Sequence, residues 1–359
     1  MSRHDRITPL LLDPAEIAEW GDEDWDLALR QGRRSGLLPR IEILLARAEL
    51  FRHVPAAPRA PLQAAHVVAA KHRDDVAREV RAIAAALASL DAPLILLKGA
   101  AYAAAGLPPA EGRLFGDIDI LVPKESLSEA EALLVAAGWS SAKSDAYDQR
   151  YYREWMHELP PLQHERRQTA IDVHHTIVPP TSRFAVDGKR LRDAAVPVGA
   201  DSRILVLAPA DMVLHSAVHL FTEGEFSHGL RDLTDLDLLL RHFAAHDPHF
   251  WDQLAERAQS FGLIRPLHYA LRFAAILLAT PVPPRLLDLG APGPLGEIVM
   301  DALFTRALRP PHPSCADRFS AIALFFLYIR AHYLRMPLGL LMPHLLRKAF
   351  HRRVEPAAA

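Results

Sequence analysis

The sequence predicts an α+β protein in which helices flank a small mixed β-sheet. Three observations indicate this class. Helical patterns cover most of residues 1–90, short β-type runs alternate with helical stretches over residues 91–207, and residues 208–359 are helical in pattern. Alternation of strand and helix in the middle of a chain is typical of an α/β module. We therefore expect an N-terminal helical segment, an α/β core and a C-terminal helical domain with these boundaries.

The N-terminal segment is predicted to contain helices on both sides of a break. Apolar residues recur at helical spacing over residues 15–52, and the alanine-rich residues 63–90 have high intrinsic helix propensity. Between them, the proline-rich stretch "PAAPRAPL" (55–62) is predicted to interrupt the helix.

The core is predicted to begin with the strand "PLILL" (93–97), followed by a turn at Gly99 and an alanine-rich helix. "DIDILV" (117–122) and "AIDVHHTIV" (170–178) are two further predicted strands. The polar and aromatic residues 145–168 between them suit either strands or a surface insertion.

One helix of the core carries explicit start and stop signals. "ESLSEAEALLVAAG" (125–138) has the spacing of a capping box twice, from Ser126 to Glu129 and from Ser128 to Glu131. Gly138 fits the end of this helix.

Composition excludes several classes of protein. The chain has 359 residues, a net charge of −2 and a single cysteine, Cys315. We therefore expect no global attraction to nucleic acid, no intramolecular disulfide and no four-cysteine zinc site.

The N-terminus lacks the apolar stretch of a signal peptide, and the longest apolar run, "AIALFFLYI" (321–329), is far shorter than the roughly 20 residues that cross a bilayer. These features predict a soluble cytoplasmic protein without a transmembrane segment.

The candidate catalytic residues are aspartates in the predicted strands. Side chains two apart in a strand point to the same face, so Asp117 and Asp119 share one face. Two carboxylates this close repel each other, and a bound divalent cation would remove the energetic cost of this repulsion. Mg²⁺ prefers such hard oxygen ligands. The alternative is a strand end whose aspartates lie in solvent.

Two neighbouring features strengthen the magnesium interpretation. Asp172 shares a strand face with His174. As a third carboxylate, contributed by a neighbouring strand, it would complete a two-metal site with Asp117 and Asp119. In addition, the turn at Gly99 before a helix offers backbone N–H groups that suit phosphate, with Lys98 as an adjacent cation. An edge strand and an ordinary β-to-α turn are the structural alternatives.

These residues carry a resemblance to a known family. The stretch from "LILLKGAAYAAAG" to "GRLFGDIDILVPKESLSEAEALLVAAGW" resembles the nucleotidyltransferase core of the DNA polymerase beta superfamily, especially its bacterial group of uncharacterised nucleotidyltransferases. The similarity spans most of the chain. The matching positions are Lys98-Gly99, Arg113, Asp117, Asp119, Gly138-Trp139, Asp172, His174-His175, Pro209, Asp211, Leu214-His215, His219, Arg231 and Asp235.

The resemblance implies transfer of a nucleoside monophosphate from an NTP to an acceptor hydroxyl group, with release of pyrophosphate. Asp117 and Asp119 would hold two Mg²⁺ ions, and Asp172 would bind the catalytic ion and help to deprotonate the acceptor. The remaining residues of the nucleotide site would be Lys98, Gly99, Ala100 and Arg113. His174, His215, His219, Arg231 and Asp235 would lie in a substrate cleft.

Two other functions stay open. The superfamily usually has serine or glycine after the turn glycine, whereas this chain has Ala100, so a serine hydroxyl contact to phosphate is missing. This departure leaves room for a non-catalytic nucleotide-binding or regulatory module. A metal-dependent hydrolase is the other alternative, because Asp211, His215 and His219 lie four apart on a predicted helix.

The sequence identifies neither the NTP nor the acceptor. The acceptor is open between a small molecule such as a sugar or antibiotic, a protein side chain, a lipid-linked glycan and an RNA end.

The basic cluster "RQGRRSG" (30–36) and the basic C-terminus suit solvated helix ends, or a peripheral contact with acidic lipids or a partner. The aromatic stretch "YDQRYYREW" (147–155) suits packing beside the active site, or stacking on bases.

Overall fold

The computed structural model describes residues 4–141, 149–199, 201–337 and residue 339. It confirms the predicted α+β class, with helices on both sides of a mixed sheet of seven strands. The strands are β1 Leu94–Leu96, β2 Asp117–Leu121, β3 Trp139–Ser141, β4 Leu162–His164, β5 Ala170–His174, β6 Val196–Val198 and β7 Asp201–Val206.

The strands are arranged in the order β3-β4-β5-β2-β1-β7-β6. β2 runs parallel to β5, β1 runs parallel to β7, and the remaining neighbours are antiparallel. The strands β1, β2 and β5 are therefore central, and Ile95, Ile120 and Ile171 are fully or almost fully buried there. All three were predicted from the sequence, β1 from a short apolar run and β2 and β5 from the alternation of apolar residues.

Six α-helices precede or lie within the first half of the core. They are α1 Ile7–Leu12, α2 Asp22–Ser35, α3 Leu38–Arg47, α4 Ala56–Ala86, α5 Lys98–Ala104 and α6 Leu127–Ala136. The predicted break at residues 55–62 is wrong, because α4 already begins at Ala56. Pro58 lies in the first turn, where backbone N–H groups have no partner within the helix, and Pro61 removes one hydrogen bond close to that end.

The predicted capping boxes of α6 are also absent. Ser126 is the N-cap residue, but its side chain accepts no hydrogen bond from the backbone, since a short turn of 3₁₀-helix at Lys124–Ser126 leads directly into α6. Gly138, in contrast, ends this segment with a φ of +100°, which glycine adopts without strain.

The second half of the chain is helical after β7, as predicted. One helix of the second half, α7 Gly188–Asp193, lies before β6. The helices after β7 are α8 Pro209–Thr222, α9 Gly229–His246, α10 Phe250–Ser260, α11 Ile264–Leu278, α12 Pro284–Leu287, α13 Pro294–Ala307 and α14 Ser320–Arg335. The predicted helical segment 316–351 is described only over α14, and residue 338 and residues 340–359 lie outside the described part of the chain. Among the described residues, no helix has the length and apolar content needed to cross a bilayer.

One hydrophobic core connects the sheet with the helices around it. It includes Val80 and Ile83 of α4, the central strands and the buried aromatic residues Phe221, Phe273 and Phe304 of the C-terminal helices. A second, smaller cluster around Trp25, Leu38 and Leu62 packs α1 to α4 together, and Leu230 of α9 joins it. The division at residues 90 and 207 remains a prediction.

Candidate active site

The parallel pairing of β2 and β5 brings two predicted carboxylates face to face. The register places Asp119 directly opposite Asp172, and Asp117 opposite Ala170. Asp119 is 5 % exposed and Asp172 is half-buried, whereas Asp117 lies at the exposed start of β2. One oxygen of Asp119, one oxygen of Asp172 and one ring nitrogen of His174 all lie within 4.8 Å of one another.

Asp119 is held by two cationic partners. Its Oδ1 accepts hydrogen bonds from Lys98 Nζ at 3.2 Å and from His174 Nε2 at 3.0 Å. Burial alone would raise the pKa of Asp119, but the charge of Lys98 and the bond with His174 lower it well below the usual range. Asp119 is thus ionised, which requires His174 Nε2 to carry the proton of this hydrogen bond.

Asp172 experiences the opposite environment. Burial, together with the negative charges of Asp119 and Glu158, raises the pKa of Asp172 to about 7. A carboxyl group in this situation binds a proton or a cation near neutral pH. The oxygen donors of Asp119 and Asp172 match the preference of Mg²⁺, so the residues present fit the ion that the resemblance implies.

The turn between β1 and α5 differs in detail from the prediction. Lys98, not Gly99, adopts the left-handed conformation, with a φ of +43°. Gly99 is required for a different reason. A Cβ atom at this position would lie 3.0 Å from Arg113 Nε and 3.1 Å from Phe115 Cδ1. Ala100, which was predicted to bind the nucleotide, is buried in the core, and its side chain offers no polar group to a ligand.

A buried ion-pair network fixes Arg113 beside this turn. Asp235 of α9 accepts a hydrogen bond from Arg113 and another, at 2.8 Å, from Arg40 Nη2. Asp232 lies 3.8 Å from Arg113 and also pairs with Arg231. Asp235, one of the residues predicted for a substrate cleft, therefore holds the guanidinium of Arg113 near Gly99, and Arg231, another of them, pairs with Asp232.

The aspartates separate two cavities. The first, which we call the α5 cavity, has a volume of about 420 Å³ and is lined by Gly99, Arg33, Arg113 and Arg231 among others. The second, the β5 cavity, has a volume of about 250 Å³, and Asp172 is in its wall. Both cavities are lined by Lys98, Asp117, Asp119 and His219.

Two residues of the β5 cavity, His157 and Glu158, were not predicted from the sequence. Their segment runs antiparallel beside β5: Glu158 forms a bridge with His174, and the backbone N–H of His175 donates to the carbonyl of His157 at 2.9 Å. One atom each of His157, Glu158 and His174 lie within 4.8 Å of one another. The only local signal is the adjacent His-Glu pair in an aperiodic stretch.

The remaining predicted residues have other surroundings. His219 lies in the wall of both cavities and pairs with Glu223 at 3.1 Å, whereas His215 is buried and lines neither cavity. Asp211 is fully buried and held by both oxygens to Arg257, at 2.6 and 2.7 Å. In the described part of the chain, neither cluster with metal-ligand spacing contains Asp211, His215 or His219.

The aromatic stretch 147–155 is described from residue 149 onward, and residues 147–148 lie outside the described part. Tyr151 and Tyr152 line the β5 cavity. Their rings are 5.5 Å apart and perpendicular to each other. This segment therefore lies beside the carboxylates, and a role in base stacking stays a prediction.

Comparison with known proteins yields one match. A family model described as an uncharacterised nucleotidyltransferase matches residues 21–279. The matched region contains the whole sheet, the three aspartates and the arginines of the α5 cavity. No curated protein and no solved structure matches the chain.

Proposed function

Because the chain belongs to the family of uncharacterised nucleotidyltransferases, we propose that it transfers a nucleoside monophosphate from an NTP to an acceptor hydroxyl group. The acceptor oxygen forms a bond to the α-phosphorus. The bond between this phosphorus and the oxygen that leads to the β-phosphate breaks, and pyrophosphate leaves with that electron pair. The proton of the acceptor hydroxyl passes to a carboxylate of the site.

The observation that carries this proposal is the facing pair of carboxylates between two cavities. Asp119 lies in the wall of both cavities, while Asp172 belongs only to the β5 cavity. A reaction that joins two substrates needs such a boundary, at which one substrate enters from each side.

The α5 cavity suits the nucleotide. Its volume of about 420 Å³ is within the usual range of small-molecule sites. Arg33, Arg113 and Arg231 bring three guanidinium groups to its wall, and such groups bind phosphate oxygens in pairs. Arg33 is exposed at the rim and forms no ion pair with another described residue, so it is free to meet a phosphate. The seven-residue helix α5 is too short to define the phosphate site alone.

The β5 cavity suits the acceptor. Asp172 is the carboxylate on this side and would accept the proton of the acceptor hydroxyl group. His174 holds Asp119 in place from the same side. The volume of about 250 Å³ admits the hydroxyl-bearing end of an acceptor rather than a large molecule in full.

Asp117, Asp119 and Asp172 would hold the two Mg²⁺ ions, with Asp172 on the acceptor side. When bound, these ions supply positive charge to the phosphate oxygens and lower the pKa of the attacking hydroxyl group. The protein's own contribution is to fix the carboxylates by the pairing of β2 with β5 and by the contacts of Asp119 with Lys98 and His174.

The experiment that tests this proposal incubates the purified chain with Mg²⁺, each α-labelled NTP and fractions of a cell lysate. We expect one molecule to become labelled while pyrophosphate is released. Asp117→Ala, Asp119→Ala and Asp172→Ala should each lower the rate of labelling at least about 100-fold in a folded protein. Asp74→Ala, at an exposed position of α4, is the matched control and should keep full activity.

The outcomes distinguish an active nucleotidyltransferase from a non-catalytic nucleotide-binding module. Undiminished labelling by a folded variant of any of the three aspartates would contradict its assigned role. Binding of Mg²⁺ and NTP in calorimetry, without release of pyrophosphate in any fraction, would instead support a non-catalytic nucleotide-binding module.

A further inference from the structure

The wall of the β5 cavity contains a second group of potential metal ligands with different chemistry from the aspartates. It consists of His157, Glu158 and His174, one donor atom of each lying within 4.8 Å of the others. His157 and His174 are 6 % and 2 % exposed, and their rings have centroids 5.1 Å apart. The antiparallel pairing of Glu158 with His174 fixes this proximity through the backbone.

Both imidazole rings have a buried nitrogen that forms no hydrogen bond. His157 Nδ1 and His174 Nδ1 are inaccessible to solvent and form no hydrogen bond with any described residue. Buried polar atoms in proteins nearly always form a hydrogen bond, so two such atoms in adjoining rings require an explanation.

The separation between His174 and Glu158 fits a shared metal ion better than a hydrogen bond. His174 Nδ1 lies 3.3 Å from Glu158 Oε2 without hydrogen-bond geometry. Zinc–nitrogen and zinc–oxygen bonds of about 2.0–2.2 Å at a tetrahedral angle place the two donor atoms about 3.3–3.5 Å apart. The two atoms thus already stand at the distance that a tetrahedral ion requires.

Asp119 completes the arrangement from the other side of the ring. It accepts the hydrogen bond of His174 Nε2, at 3.0 Å. Histidines that bind metals usually donate their second N–H group to a carboxylate or carbonyl, which fixes the tautomer and the ring orientation. In His174 this contact directs Nδ1, rather than Nε2, to Glu158.

We propose that His157, Glu158 and His174 bind one divalent transition-metal ion of the Zn²⁺ class, separate from the Mg²⁺ that the aspartates would hold. Two imidazoles and one carboxylate are a ligand set of catalytic zinc sites, in which the fourth position is left to water or a substrate group. Oxygen-only sites select Mg²⁺ instead. The two adjoining groups therefore select different ions, and the Zn²⁺ site does not depend on nucleotidyl transfer.

The test uses the tag-free, full-length protein after treatment with a chelator, with Zn²⁺ as the probe and no nucleotide. We expect one Zn²⁺ per chain that excess Mg²⁺ does not displace, and an X-ray absorption spectrum with two imidazole donors. The rival group of Asp119, Asp172 and His174 would give only one imidazole. A wild-type spectrum with fewer than two imidazole donors, or ready displacement of Zn²⁺ by Mg²⁺, would overturn the proposal without the need for any variant.

Variants locate the ion. Glu158→Gln, which keeps the shape of the side chain, should weaken Zn²⁺ binding at least about tenfold, and His157→Ala should abolish it. His175→Ala is the matched control on the same strand end, and Asp172→Asn removes the rival group, so both should bind Zn²⁺ as the wild type does. Wild-type affinity in folded Glu158→Gln and His157→Ala, or its loss in Asp172→Asn, would assign the ion to the aspartates instead.

Discussion

Asp119 and Asp172 lie directly opposite each other on the parallel strands β2 and β5, yet their pKa values shift in opposite directions. Lys98 and His174 stabilise the charge of Asp119, whereas Asp172 lies next to that charge and forms no ion pair with another described residue. The pair therefore carries one negative charge readily and a second one only at a cost. A bound cation would remove this cost, which links metal binding to the stability of the fold.

The first prediction concerns the stability of the metal-free protein at different pH. The pKa of Asp172 is about 7 in the fold against an ordinary value of 3.8. Between these values the folded chain keeps a proton that the unfolded chain has lost, so the free energy of unfolding falls as the pH rises through this window. Three pKa units correspond to about 4 kcal/mol, which is the upper limit of the effect.

Asp172→Asn cannot ionise and should escape this loss. Denaturant unfolding in the presence of a chelator, at about pH 4.5 and about pH 8, should show the variant gaining stability relative to the wild type as the pH rises. Saturating Mg²⁺ at the higher pH should restore the wild type and leave the variant unchanged. A difference between the two proteins that stays constant with pH would show that Asp172 is not the titrating group.

The sequence was sufficient to predict the centre of the sheet because the relevant information there is local. Alternation of apolar and polar residues in "DIDILV" and "AIDVHHTIV" predicts both which face the aspartates occupy and which face enters the core. The register that aligns Asp119 with Asp172 is not local, since it depends on the pairing of strands that are about 50 residues apart. The strand patterns thus predicted Asp172 as a third carboxylate of the site, whereas the register between the strands sets it opposite Asp119.

The parts of the site that the sequence did not predict are those fixed by contacts between distant elements. His157 and Glu158 lie in an aperiodic segment, and only the bridge to His174 places them in the cavity. Arg113 and Asp235 are 122 residues apart in sequence, and their contact depends on the packing of α9 against the turn before β2. Neither arrangement leaves a pattern at helical or strand spacing.

The second prediction concerns Gly99, where a methyl group would displace the guanidinium of Arg113. A Cβ atom would lie only 3.0 Å from Arg113 Nε. Gly99→Ala should therefore weaken the binding of NTP by roughly 10- to 100-fold, the value of one or two charged hydrogen bonds of about 1.5–3 kcal/mol. The free energy of unfolding should also fall, by less than the roughly 3–5 kcal/mol that complete loss of the buried pair between Arg113 and Asp235 would cost.

Calorimetry with Mg²⁺ and each NTP measures this loss. Gly116→Ala is the matched control, since Gly116 also lines the α5 cavity but has open space around the position of a Cβ atom. Equal affinities for Gly99→Ala and Gly116→Ala would show that the phosphates do not contact Arg113.

The third prediction concerns the buried network around Asp235, which is 3 % exposed and accepts hydrogen bonds from Arg40 and Arg113. Asp235→Ala leaves both guanidinium groups buried without this carboxylate. Arg40 then keeps only uncharged acceptors among its hydrogen-bond partners, Thr234 and the carbonyl of Pro109, and Arg113 keeps Asp232 at 3.8 Å. Loss of one partner from a buried ion pair costs about 3–5 kcal/mol, so we expect a decrease of that size in the free energy of unfolding.

The matched control for Asp235→Ala is Asp193→Ala, which removes the carboxylate of an exposed pair with Lys189. Exposed pairs contribute at most about 1 kcal/mol, so denaturant unfolding should distinguish the two variants clearly. Asp235→Asn, which keeps an acceptor oxygen but not the charge, should lie between them. If Asp235→Ala is as stable as Asp193→Ala, the arginines must find other acceptors in the α5 cavity, and Arg113 would then not be fixed beside Gly99 by α9.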